Sequence, residues 1–254
     1  MGGMRKNGAM RAGFAAAACG VLIVTLSACG GLGGGSKSGS GAAGDGGPGG
    51  KVSPSPARTV DLKRIPGVGD RITQWIPSDS RQVVAVYGEG KDSAHSTAVL
   101  YTKSGSTWDE TGRWVAHNGK KGWTTDHREG DNRSPVGVFT LSDAGGFLDD
   151  PGARLPYSQS EYFQSPYDWE QSHLHDFDYV IAIDYNRIRG TSPIDPTRPW
   201  GDAKGGGIWM HLDHGGGTSA CVSLPKAAMK YLLRTLDPQQ SPVVVMGDKA
   251  ELNA

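Results

Sequence analysis

The strongest constraint on the fold is a succession of short apolar runs rich in β-branched residues, each closed by Gly, Asn or Asp. Val83-Val84-Ala85-Val86-Tyr87 and Ala98-Val99-Leu100-Tyr101 come first. Trp108 and Trp114-Val115 mark a third and a fourth, separated by Gly and Asp turn residues. Val136 to Leu141, Tyr179 to Tyr185, Ile208 to His211 and Pro242 to Met246 complete the series. Such runs predict a mainly β fold, an antiparallel sandwich or barrel. One clear helix is expected between Leu224 and Leu236, where Met229, Leu232, Leu233 and Leu236 share a face at i, i+3, i+4 and i+7. Pro225 suits its first turn, Ser223 its cap, and Asp237-Pro238 its end. Residues 65–76 fit a short helix or an irregular turn. Residues 142–178 form a long, weakly periodic region with Tyr157, Tyr162, Phe163, Tyr167 and Trp169. That region reads equally as a lid or binding wall and as a satellite core.

The chain divides into three parts. Residues 1–28 read as a targeting segment: Met4-Arg5-Lys6 and Arg11 are a basic start, and Phe14 to Leu26 is an apolar run shorter than the roughly 20 residues a bilayer requires. The run ends in Leu26-Ser27-Ala28-Cys29, which resembles a bacterial lipobox and implies lipidation of Cys29. Residues 29–57 are a Gly/Ser/Pro-rich tether with almost nothing to bury. Residues 58–254 are the folded domain. The expected location is therefore extracytoplasmic, anchored to the membrane through Cys29 and facing the cell wall. With 26 basic and 26 acidic residues, bulk charge does not favour a nucleic-acid partner, and a monomer is expected.

This division isolates one thiol. Cys19 falls in the removed segment and Cys29 is lipidated, so Cys221 has no disulfide partner. It lies in Gly205 to Pro225, GGGIWMHLDHGGGTSACVSLP. A histidine ending a strand and a cysteine just before a helix suit nucleophilic catalysis, because a helix start lowers a thiol pKa and an imidazole can accept the proton. The other reading of Cys221 is a small buried hydrophobe.

A second stretch, EGDNRSPVGVF at Glu129 to Phe139, is on its own only a polar turn leading into a strand. Three ordered segments together say more: Glu129 to Phe139, Gly205 to His211 (G-x-x-I-x-x-H) and Thr218 to Val222. They resemble the signature of the L,D-transpeptidase catalytic domain family, over roughly residues 80 to 247. The resemblance implies a β-sandwich and acyl transfer on peptidoglycan stem peptides. Cys221 would be the nucleophile, forming a thioester and releasing D-alanine, and an amine of a neighbouring stem would complete a 3→3 cross-link. His211 would be the proton acceptor and donor. Backbone amides of Ser219, Ala220 and Cys221 would hold the oxyanion. Thr218 belongs to the same turn, and Trp209 would wall the site. No cofactor is implied. The chain departs from the family pattern at Ala220, usually Gly, and at Ser223, often Arg.

Several alternatives stay open. Water in place of the acceptor amine would make the enzyme an L,D-carboxypeptidase, and weakened chemistry would leave a cell-wall binding lipoprotein. His214 is the rival base, nearer Cys221 in sequence. Asp213 reads as a solvated loop carboxylate. His95, His117 and His127 read as surface or turn residues, and the tryptophans other than Trp209 as core. His173-Leu174-His175-Asp176, together with His211, Asp213 and His214, invites a zinc reading. The chain lacks an H-E-x-x-H, and no metal is expected.

Overall fold

Successive residues of a strand face opposite sides of a sheet, so an unbroken apolar run needs cover on both. Val83-Val84-Ala85-Val86 meets that demand: Val84 and Val86 enter one hydrophobic cluster, Val83 and Ala85 another. Val99 and Tyr101 alternate in the same way with Ala98 and Leu100, and Val243 and Val245 with Val244 and Met246. Three strands covered on both faces form the centre of the domain.

The computed structural model describes residues 59–254. In chain order the elements are α1 (Asp70–Thr73), β1 (Gln82–Gly88), β2 (His95–Ser104), β3 (Thr107–His117), β4 (Trp123–Thr124), β5 (Ser134–Pro135), β6 (Gly137–Thr140), β7 (Ala144–Gly146), β8 (Tyr157–Gln159), β9 (Val180–Ala182), β10 (Trp209–Leu212), β11 (Val222–Leu224), α2 (Lys226–Thr235), β12 (Val243–Asp248) and α3 (Lys249–Leu252). Ten strands form one sheet in the order β6-β12-β1-β2-β3-β11-β10-β9-β7-β8, and β4 and β5 pair separately. The mainly β expectation holds, but the sheet is mixed. β1 runs parallel to β12, β10 to β11 and β7 to β8, and the other pairs in the sheet are antiparallel. The larger cluster joins residues from both halves of the sheet to the buried face of α2, Ala228, Met229, Leu232 and Leu233. The smaller cluster is covered by Ile65, Val68 and Ile72 and by Leu252 of α3.

Three expectations change. Trp108 and Trp114 lie on one strand, β3, whose register with β2 slips between Leu100 and Tyr101. The Asp and Gly read as turn residues are paired, Asp109 with Thr102 and Gly112 with Leu100, and the residue left over between them, Thr111, is a bulge. The run Tyr179 to Tyr185 pairs only over β9, because Ile183 and Asp184 turn their N–H groups to the carbonyls of Ile208 and Thr140. Helix α2 starts at Lys226 after Pro225, with no side-chain cap; Ser223 lies in β11 instead. The tryptophans also divide. Trp123 and Trp108 are buried, whereas Trp75 and Trp200 are exposed, Trp75 under the Arg71 guanidinium and Trp200 edge-on to Tyr185. Cys29, the targeting segment and the tether lie outside the described residues. Among the described residues no helix is long and apolar enough to cross a membrane.

Residues 142–178 do both jobs considered for them. Leu155 joins the larger core cluster and Phe163 is buried. Trp169 and Phe177 turn towards a cavity. The segment is tied down by a buried ion cluster: Arg187 pairs with Asp184 and lies 3.0 Å from Asp143, and all three side chains are at most 5% exposed. Asp143 also accepts the Gly190 N–H at 2.9 Å. Removing one partner of a buried pair strands the remaining charge. Arg187→Ala should therefore destabilise the domain by about 3–5 kcal/mol in chemical denaturation. A loss under about 1 kcal/mol, the range of a surface ion pair, would contradict the cluster's structural role.

Candidate active site

β10 and β11 are parallel neighbours, with Met210 opposite Val222 and His211 opposite Ser223. That register sets Cys221, one residue before β11, beside Trp209, whose backbone N–H donates to the sulfur at 3.4 Å. The loop between the strands is held from outside. The Thr218 N–H donates to the Asn118 carbonyl, and the Lys120 N–H to the Thr218 carbonyl. Gly217 permits that contact, since a Cβ there would lie 2.6 Å from the Lys120 Cα. The Ser134 hydroxyl, fully buried, accepts the Gly119 N–H at 2.9 Å and donates to the Ala220 carbonyl at 2.6 Å. The Thr218 hydroxyl donates to the Cys221 carbonyl at 2.7 Å. Two hydroxyls thus fix the carbonyls on either side of the cysteine Cα.

Cys221, His211, His214, Thr218 and Ser219 line one cavity of about 550 Å³. Trp169, His173, Asp176 and Phe177 line it as well. His211 is buried, and its Nδ1 lies 2.8 Å from the Leu212 carbonyl. A carbonyl only accepts, so Nδ1 carries the proton and Nε2 is left as the acceptor. Phe177 meets the imidazole edge-on at 5.3 Å. Burial pushes the His211 pKa down from 6.5 to about 4, against the pull of the Asp176 carboxylate. Burial pushes the Cys221 thiol up to about 11, and the Trp209 N–H only partly offsets it. The resting pair is therefore a neutral thiol and a neutral imidazole. The expected lowering of the thiol pKa by α2 does not occur, because β11 separates Cys221 from the helix. Three extended residues span roughly 10 Å, and the dipole acts only near its last turn.

His214 lies further along the same wall, its ring 6.3 Å from that of His211 and 4.1 Å from that of His173. Its Nδ1 lies 3.1 Å from the carboxylate of Asp176. Trp209 sits between cavities. Its ring touches Phe163 and Phe177, and with Gly207 and Arg198 it lines a second hollow rather than the main one. Ala220 faces the core, half-buried. It is not among the non-glycine residues with positive φ, so the position usually held by Gly makes no left-handed demand here.

Two carboxylates differ from expectation. Asp213 is held between the Ser223 hydroxyl and His117 Nδ1, each at 2.7 Å, and accepts the Gly215 N–H. Burial works against its charge, yet these hydrogen bonds keep its carboxyl below the ordinary range. His117 is correspondingly buried, and so is His127, 3.0 Å from Asp131; of the three histidines read as surface residues only His95 is exposed. Ser134 received no role from sequence, and His173 and Asp176 entered only the zinc reading that was set aside there. Ser134 stood inside the EGDNRSPVGVF stretch, and its position before Pro135 was the available signal.

The L,D-transpeptidase catalytic domain family (YkuD) matches residues 86–245, more than half of the chain. The chain belongs to this family. Within the family domain lie Cys221, His211 and the Ser134 clamp. No curated protein matches the chain significantly. Among solved structures, that of Bd1075 from Bdellovibrio bacteriovorus is similar at 13% identity and a TM-score of 0.38, over 77% of this chain and 58% of that one. The chain thus spans less than two thirds of that protein's structure.

Two outcomes test this description of the L,D-transpeptidase domain. Ala220→Gly should lower stability by about 0.5–1 kcal/mol through backbone entropy; a gain in unfolding free energy would mean that alanine is strained there. The second concerns pH. An unfolded histidine protonates near 6.5, whereas His211 stays neutral down to about 4. Unfolding therefore takes up a proton between those values, and stability should fall as pH falls from about 6.5 to about 4. Denaturation midpoints measured across that window should lose part of their slope in His211→Asn; an identical slope would place the titrating group elsewhere.

Proposed function

We propose that this protein is an exported cysteine acyltransferase acting on peptidoglycan stem peptides. The observation that carries the reading is the opening of Cys221 and His211 onto one cavity from adjacent parallel strands, with His211 Nδ1 committed to a carbonyl. Cys221 Sγ attacks the carbonyl of the L-configured centre of the diamino acid at stem position three. His211 Nε2 takes the thiol proton as the C–S bond forms, acting as a general base on a neutral thiol. The Thr218 amide is occupied by Asn118, so the oxyanion falls to the amides of Ser219, Ala220 and Cys221. The tetrahedral intermediate collapses, and the imidazolium returns its proton to the leaving amine of D-alanine. An amine of a neighbouring stem then attacks the thioester, loses its proton to His211 and regenerates the thiol, leaving a 3→3 cross-link.

Family membership supports the stem-peptide substrate. The basic start, apolar run and Leu26-Ser27-Ala28-Cys29 support anchoring through a lipid on Cys29, with the domain facing the wall. Asp213 is committed to Ser223 and His117, and His214 faces Asp176; His211 is thereby favoured as the base.

Intact-mass measurement on the full chain tests the reading. A carbapenem or a tetrapeptide muropeptide should leave one covalent adduct, absent in Cys221→Ala and reduced at least about a hundredfold in rate in His211→Ala. His214→Ala should keep most of the rate; loss there with retention in His211→Ala would reverse the assignment. Protein extracted from membranes should carry the lipid mass on the peptide beginning at Cys29. Release of a shortened stem with no cross-linked product would make the enzyme an L,D-carboxypeptidase. A folded protein that forms no adduct yet binds sacculi would be a cell-wall binding lipoprotein.

A further inference from the structure

The cavity that Cys221 lines holds three groups that the acyl-transfer steps do not use. His173 Nδ1 and His214 Nδ1 both approach the same oxygen, Oδ2 of Asp176, at 2.9 Å and 3.1 Å. Asp176 is almost fully buried and its side chain is 4% exposed. The His214 side chain is 9% exposed, and its buried Nδ1 makes no hydrogen bond. A polar atom out of water that makes no hydrogen bond costs free energy, even with a carboxylate nearby, and it calls for a ligand. His173 is the more accessible of the two rings, with its side chain 30% exposed.

One ligand atom from each of the three residues lies within 4.8 Å of the others. Around a zinc ion with bonds of about 2.0–2.1 Å, tetrahedral ligand atoms stand roughly 3.4 Å apart. Two of the separations here are already that short. The remaining separation is at most 4.8 Å. We infer that His173, Asp176 and His214 form a binding site for a divalent transition-metal ion of the zinc class in the wall of the catalytic cavity. Two imidazoles and one carboxylate suit zinc and its first-row neighbours better than magnesium or calcium, which prefer oxygen alone. Three protein ligands leave a coordination position open to the cavity. The site draws on a loop outside the three family segments and stands independently of the acyl-transfer reading.

The test is metal uptake by the purified full chain after chelation, using Co²⁺ as an optical probe and Zn²⁺ as competitor. One Co²⁺ should bind per chain, with ligand-field bands of nitrogen and oxygen donors, and Zn²⁺ should displace it. Changing only an outer-shell partner costs about 10–100-fold in metal affinity, so loss of a ligand in His173→Ala or His214→Ala should cost at least about a hundredfold. His175→Ala, an exposed neighbour outside the group, and Cys221→Ser should bind as the parent does. Circular dichroism establishes that each variant is folded, and His173→Ala, at a partly exposed position, keeps the test decisive if His214→Ala fails to fold. No uptake by the folded parent, undiminished uptake in His173→Ala, or loss of uptake in Cys221→Ser would each overturn the assignment.

Discussion

The parallel pairing of β10 with β11 is the interaction on which the site depends. It fixes His211 opposite Ser223 and sets Cys221 beside Trp209. Parallel neighbours cannot be joined by a tight hairpin. The connecting residues must travel away and return, and Gly217 lets them pass against Lys120. What returns is a turn whose carbonyls are already bonded to Ser134 and Thr218. The nucleophile is therefore positioned by backbone pairing and two hydroxyls rather than by its own side chain.

Two carboxylates divide the work around this pairing. Asp213 is saturated by Ser223, His117 and Gly215, and it holds the end of β10 against β3 and β11. Asp176 faces two imidazoles through one oxygen and stands in the cavity wall. His211 lies between these influences and is neutral because burial outweighs the attraction of Asp176. A base with a low pKa is weak towards a neutral thiol, but it holds no proton that would have to be removed first.

Much of this was legible from sequence, for physical reasons. β1, β2 and β12 announce themselves because burial on both faces requires continuous apolar runs. Helix α2 is equally plain, since one face packs on the core with the period of a helix. His211 and Cys221 stood in ordered segments of a family signature. The rest depends on long-range geometry. The bulge in β3 resembles a turn in local composition, and only its pairing with β2 tells them apart. Asp213 looks solvated until His117, from a distant strand, closes over it. Asp176 and His214 come together because an aperiodic loop folds back on the strand end, and no spacing encodes that. The expectation of a thiol activated by α2 failed because a cysteine near a helix in sequence is separated from it in space by a strand.

The parallel pairing of β1 with β12 carries a consequence for how the domain is made. Val83 has Val243 as its partner, so β1 waits for residues far downstream of it in the chain. β12 is also the strand that pairs β6 with the rest of the sheet. Contacts this distant close large loops before they return any stabilisation, and they slow folding. During synthesis most of the chain must emerge before its central strand has both neighbours.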